Sequence, residues 1–162
     1  MSDPFIPYGH QLIEEDDIQA VVEVLRSDHL TTEPKVKEFE QAVAAYVSAP
    51  QGIAFSSGTA ALHGAVAAAE IGPGDEVLVP TFSFLATANA VVYLGAKPIF
   101  VDCVKDGFNL DIADAERKIT PRTKAIMPVH FAGQPVDAHT SQICVVGNGG
   151  GFLEYCSTIC FG

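Results

Sequence analysis

The stretch Ser56-Ser57-Gly58-Thr59-Ala60-Ala61-Leu62 joins a short apolar run to a strongly helical one. A helix starting there leaves its first backbone N–H groups unpaired, with the positive end of the helix dipole behind them, and so suits an anion such as phosphate. Gly58 lets the main chain approach a ligand closely. Thr59 and Ala60 offer amides, and Ser57 and Thr59 add hydroxyls. An ordinary N-capped core helix carries the same residues, so this turn alone leaves both readings open. A second stretch, Pro80-Thr81-Phe82-Ser83-Phe84, supplies aromatic rings. Phe84 can lie offset-stacked on a heteroaromatic ring; alternatively, Phe82 and Phe84 fill the core. Neither GxGxxG nor a P-loop occurs, which argues against a dinucleotide or a nucleoside triphosphate. The acidic run Glu14-Glu15-Asp16-Asp17 could be read as a metal site, but four adjacent carboxylates at a helix start are more often a solvated face. Cys103, Cys144, Cys156 and Cys160 show no CxxC spacing, so a zinc or redox role finds little support.

The elements that must position these groups follow from hydrophobic period and turn residues. Residues 14–26 form a helix, with the acidic start against the dipole and Ile18, Val21, Val22 and Leu25 at helical spacing. A second helix carries Val36, Phe39, Val43 and Tyr46 on one face. After a break at Pro50-Gln51-Gly52 the pattern changes to short apolar runs at 52–55, 76–79, 98–101 and 125–129, each fitting a buried strand. Helices are expected over 60–70, 84–94 and 111–118, with turns at 72–75 and 120–123. Alternating strands and helices argue for an α/β fold with a mostly parallel sheet and covering helices. Ligands then bind outside the C-terminal ends of the strands, near 56–60, 80–84, Asp102 and 130–133.

Composition narrows the remaining classes. The chain has 162 residues, 48% hydrophobic and 18% charged, enough for one globular domain. A net charge of −11 provides no broad basic footprint for nucleic acid or an anionic membrane. No run is apolar for long enough to span a bilayer, and the N-terminus lacks the pattern of a signal peptide, so a cytoplasmic location is the default expectation. From about Thr140 the chain is rich in Cys, Gly and Ser, with Glu154 as its single charged residue, and shows no helical period. This predicts a domain over 1–139 and an atypical, non-native or disordered tail over 140–162; the alternative is a final strand at 143–146.

Four segments in register carry a resemblance: SSGTAALHGAV, GPGDEVLVPTFSFLATANAV, LGAKPIFVDC and ITPRTKAIMPVHFAG. Together they resemble the DegT/StrS-type (DegT/DnrJ/EryC/StrS) sugar aminotransferases of the fold-type I pyridoxal-phosphate class, from about Pro7 to Ala138. The resemblance implies the N-terminal part of a fold-type I large domain. It implies an amino group moved, from glutamate, to a nucleotide-linked keto sugar, with pyridoxal 5'-phosphate as electron sink. It assigns Ser57, Gly58, Thr59 and Ala60 to the cofactor phosphate and Phe84 to the pyridine ring. Tyr8, His29, Leu30 and Thr31 fall in elements that shape the sugar-nucleotide site. Glu33 departs from the family pattern, standing where glycine is common; a negative side chain there could alter the loop or repel a diphosphate. His130 is expected to act structurally. A homodimer is the family expectation.

The same resemblance places a Schiff-base lysine and a carboxylate for the pyridine nitrogen after the VHFAG segment. No lysine follows Lys124. Lys97 and Lys124 precede strands, and a side chain of ~6 Å cannot cross a five-residue strand of about 17 Å. Lys35 and Lys37 are expected on the outside of the second helix. Lys105 follows a strand exit without a family motif to support it, and Lys118 flanks a short helix. The expectation is a truncated chain without a catalytic lysine, marginal in stability and with little transaminase activity. The alternative is a non-catalytic phosphate- or cofactor-binding or regulatory module; a Rossmann-type oxidoreductase ranks behind both.

Overall fold

Helix α1, Glu15–Arg26, starts where the acidic run predicts, with Glu14 as its N-cap and Glu15, Asp16 and Asp17 in the first turn. The Glu14 amide donates to Asp17 Oδ2 at 2.9 Å, closing one of the donors a helix start leaves open. The computed structural model describes residues 11–31, 34–136, 145–146 and 152–153. The chain divides between Ala54 and Phe55 into two compact units.

The first unit holds α1 and α2, Lys35–Tyr46. The apolar stripes that the sequence marks on both helices are largely exposed in it: Ile18 is 46% and Leu25 64% accessible on α1, as are Phe39 at 54% and Tyr46 at 87% on α2. The face of α2 that packs is set instead by Ala44, which is buried, with half-buried Glu40, Val43 and Val47 beside it. Against that face lies the segment expected to be a strand at 52–55, and no strand forms there. A strand exists through its ladder, and none of the described strands pairs with this segment. The Ala54 amide instead donates to Glu40 Oε1 at 2.8 Å. Gly52 sits so close to Glu40 that a Cβ would come within 2.5 Å of its carbonyl oxygen.

The second unit carries a three-stranded parallel sheet with order β2-β1-β3, built from β1 (Glu76–Pro80), β2 (Lys97–Val101) and β3 (Thr123–Ile126). Every residue of β1 is buried, as a central parallel strand covered on both faces requires. Pro80, one residue past the expected run at 76–79, is the last residue of β1, in register with Val101. Strand β3 starts two residues and ends three residues earlier than its apolar run suggests, because Thr123 pairs with Glu76 and the ladder ends before Pro128, which has no N–H. Three helices complete the unit: α3 (Gly58–Ala68), α4 (Ala86–Tyr93) and α5 (Ile112–Lys118). Val66 of α3 and Ala88, Ala90 and Val91 of α4 pack on Val77 and Val79. Leu78, Val101, Leu110 and Ala115 form the core on the other face. A short 3-10 helix, Phe131–Gly133, follows β3.

In the expected tail, β4 (Val145–Val146) pairs antiparallel with β5 (Phe152–Leu153). The other residues from 137 onward, with Cys144, Cys156 and Cys160, lie outside the described residues.

Candidate functional site

The sheet order places two helix starts at one edge. Strand β1 ends at Pro80, and the bend at 81–85 leads into α4, so α4 begins at the C-terminal edge. Helix α3 precedes β1 through a short turn in which the Asp75 amide donates to Gly72 O at 3.1 Å. Its 11 residues, about 16 Å of helix, match the ~17 Å of a five-residue strand, which returns its start to that same edge. The two helices pack side by side, with His63 of α3 edge-on to Tyr93 of α4 at 5.5 Å between ring centroids.

At the start of α3, Ser57 is the N-cap, and its Oγ accepts from the Ala60 amide at 3.2 Å. The Ala61 amide donates to Ser57 O at 3.0 Å. Among the described residues, the Gly58 and Thr59 amides have no acceptor. Two open donors beside a capping hydroxyl, at the positive end of a helix and exposed to solvent at Ser57 and Thr59, can take up an anion. Phe55 lies against this helix from outside, its ring so near Gly64 that a Cβ there would meet Cζ at 2.5 Å.

The two phenylalanines left open by the sequence part company. Phe82 joins Phe108 at 5.0 Å and Phe131 at 4.8 Å in an aromatic cluster made of residues after β1, β2 and β3. Phe84 stays 78% exposed. The bend between them is tied down by Ser83 Oγ and buried Thr87 Oγ1, 2.8 Å apart. β2 lies on one side of β1 and β3 on the other, so the chain reverses its direction of winding at β1, the place where open α/β sheets take ligands. Thus the structure brings Ser57, Gly58, Thr59, Ala60 and Phe84 to one edge of one unit. His29, Leu30 and Thr31 belong to the first unit, exposed in the connection after α1, where Ser27 Oγ donates to His29 O at 3.3 Å. Tyr8 and Glu33 lie outside the described residues.

His130 holds its own loop: its Nδ1 accepts from the Val136 amide at 3.1 Å, a structural role. Asp102 lies just past β2, with its Oδ1 accepting from the Cys103 amide at 2.9 Å. Behind it, buried Asp114 accepts from Lys118 Nζ at 2.6 Å, the Asp102 amide at 2.8 Å and Arg117 Nη2 at 3.1 Å. Chiefly the Lys118 hydrogen bond, then the Asp102 amide, lowers its carboxyl from 3.8 to about 2. Sequence reasoning missed Asp114, although its spacing to Arg117 and Lys118 is that of helical ion pairs.

The opposite edge is chemically separate. Buried Glu76 accepts from Thr120 Oγ1 at 2.6 Å and from Arg122 at 2.7 and 3.1 Å, and these bonds, Thr120's first, lower its pKa. Lys97 and Lys124 lie at this edge, in register with or next to the partners of Glu76. A shallow depression of about 370 Å³ between Gly95, Lys97 and Arg122 opens there, away from the strand exits. Among the described residues no cluster of His, Cys, Asp or Glu could hold a metal ion, and no helix is long and apolar enough to cross a membrane.

A parallel sheet with covering helices and a switch point at its central strand places the second unit among the open α/β folds, which take ligands at the carboxyl edge of the strands. The model of the DegT/DnrJ/EryC1/StrS aminotransferase family matches residues 11–145. The chain belongs to that family. It is 46% identical over 133 residues to the spore coat polysaccharide biosynthesis protein SpsC of Bacillus subtilis (strain 168), covering 82% of this chain and 34% of the relative. It is 44% identical over 137 residues to the UDP-4-amino-4-deoxy-L-arabinose–oxoglutarate aminotransferase of Shewanella sediminis (strain HAW-EB3), covering 85% and 35%. The PLP-form of Spr1654 from Streptococcus pneumoniae superposes with a TM-score of 0.78 at 40% identity, covering 83% of this chain and 34% of that one. NtdA of Bacillus subtilis with bound cofactor PMP superposes at 0.72 with 37% identity, covering 78% and 30%. The chain spans about a third of the length of the relatives it matches.

Proposed function

We propose that this chain carries the phosphate and ring side of the cofactor site of a pyridoxal-phosphate-dependent sugar aminotransferase. The reaction moves an amino group, from glutamate, to a nucleotide-linked keto sugar. The observation that carries the reading is the pair of open amides at Gly58 and Thr59 beside the Ser57 cap, at the same sheet edge as exposed Phe84. The names of the solved relatives, in PLP and PMP forms, support the cofactor. The name of the Shewanella relative supports the reaction class.

In this reading the amides of Gly58 and Thr59, with the Ser57 and Thr59 hydroxyls, hold the phosphate. The Ala60 amide stays on Ser57 Oγ and keeps the helix start in shape. Phe84 covers one face of the ring and excludes water from it. When bound, pyridoxal phosphate supplies the aldehyde and the electron sink of the amino transfer. Tyr8, His29, Leu30 and Thr31 are proposed to shape the sugar-nucleotide site. Residues 1–139 are proposed as the N-terminal part of the large domain, with 140–162 as an atypical tail, and a homodimer as the working assembly.

A second reading has its own observation. Lys97 and Lys124 stand at the edge away from the open amides, and Lys118 Nζ is engaged with Phe100 O and Asp114. None of these three amines is placed to bond a cofactor held at the cradle, which leaves Lys105, after β2, as the lysine of the second unit on the side of the strand exits; if it does not reach the cofactor, the chain taken by itself binds without turnover. Two measurements test the proposal. Pyridoxamine phosphate should shift the Gly58 and Thr59 amide resonances of the labelled chain; unchanged resonances would remove the cradle. A chimera carrying residues 11–136 in place of the matching stretch of the Shewanella sediminis aminotransferase should retain transamination. A folded but inert chimera would reject the catalytic reading and leave the binding one.

A further inference from the structure

A bend that ought to be unfavourable sits beside the aromatic cluster. Ala132 adopts φ 50 and ψ 32, the left-handed region, followed by Gly133 at φ 80. A residue with a Cβ takes this conformation only where the surroundings over-determine it. Besides the bend's own His130–Val136 bond and main-chain turns, one side chain reaches it from outside, Asn109, which is 8% exposed. Its Nδ2 donates to Gln134 O at 3.0 Å and to Pro135 O at 3.1 Å. Its Oδ1 accepts from the Phe131 amide at 3.2 Å. All three bonds converge on the bend at 130–136, and no described residue outside the bend contributes so many to it. The chain neighbour of Asn109 is Phe108, and the residue it grips is Phe131, centroids 5.3 Å apart. Both rings press on Phe82, two residues before Phe84.

We propose that Asn109 is a positioning residue for the ring side of the cofactor site. It fixes the bend after β3, the bend sets Phe131, and Phe131 with Phe108 captures Phe82. With Phe82 held on one side and Ser83 tied to Thr87 on the other, the backbone that displays Phe84 is held in place. The phosphate cradle at 57–60 shares none of these bonds. Asn109 therefore governs how well a ring is held and leaves the grip on phosphate alone. The inference rests on the cofactor reading above.

The two can fail separately. Titrate the wild-type chain and Asn109→Ala with pyridoxamine phosphate, which has no aldehyde to attach to surface lysines, and with inorganic phosphate. Asn109→Ala should weaken pyridoxamine phosphate by about three- to tenfold, the worth of one aromatic stacking contact, while inorganic phosphate binds as before. A parallel loss of both ligands, or no loss of either, overturns the positioning role. A wild-type chain that binds neither ligand removes the cofactor reading itself, and the positioning role with it. Should Asn109→Ala fail to fold, the wild-type chain still decides. Pyridoxamine phosphate should move the Phe131 amide and the Asn109 side-chain resonances, and inorganic phosphate should move only those near Gly58. Failure of the Phe131 and Asn109 signals to respond to pyridoxamine phosphate overturns the proposal.

Discussion

Ser57→Asp should raise the stability of the chain and weaken its hold on a phosphate, two effects of opposite sign from one substitution. Ser57 Oγ accepts from the Ala60 amide at 3.2 Å as the N-cap of α3. Aspartate caps as well as serine, and its charge at the helix start adds about 0.3–1 kcal/mol against the dipole. The melting temperature should therefore hold or rise by about 1–3 °C. The anion experiences the reverse. A carboxylate at the hydroxyl's place lies ~4 Å from a phosphate on the Gly58 and Thr59 amides, and each unit of like charge at that distance costs about 1 kcal/mol in water and about 4 at a partly buried site. Ser57 is exposed, so the lower figure applies. A phosphate carrying nearly two charges then loses about 2 kcal/mol, roughly 30-fold in Kd. Circular-dichroism melts and a calorimetric titration with pyridoxamine phosphate at ~0.1 M salt, where screening reaches only about 10 Å, measure both effects. A variant that melts higher and binds as tightly as the wild type would show that the anion does not sit at this helix start.

Three further outcomes are expected. Gly52→Ala drives a Cβ to within 2.5 Å of the Glu40 carbonyl oxygen, a backbone atom that cannot swing away. It should destabilise the first unit by about 1–3 kcal/mol in denaturant melts, and an unchanged midpoint would contradict the close approach. Asp114, held down to about 2 from 3.8 mainly by Lys118, contributes stability that is fully present above its unfolded pKa and lost as pH falls toward about 2. Glu76, also lowered, acts in the same direction. The melting temperature should drop between pH 4 and pH 2, and Asp114→Asn should flatten that slope; an equal slope in the variant would remove the assignment. Borohydride reduction of the chain mixed with pyridoxal phosphate should give no stoichiometric adduct at Lys97 or Lys124, since both stand at the opposite edge from the cradle. Mass spectrometry showing either of them fully labelled would overturn that placement.

What the sequence determined by itself is local or periodic. The apolar runs at β1 and β2, the acidic start of α1 and the Ser-Ser-Gly-Thr turn each carry their signal within a few residues, because capping, dipole and burial act over one turn or one strand. The motif order also named the family, which the family match over residues 11–145 bears out. Tertiary structure decided what depends on partners distant in sequence. Residues 52–55 read as a strand, yet a ladder needs a neighbour, and the Glu40 carboxylate took the Ala54 amide instead. The stripes of α1 and α2 mark apolar faces without saying whether anything covers them. Phe82 and Phe84 are the same residue type two positions apart. Only the rings arriving from 108 and 131 send the first into a cluster and leave the second displayed. Asn109 is one polar residue in a loop by sequence, and its meaning comes from acceptors and a donor more than 20 residues away that only the folded sheet edge brings within 3.2 Å.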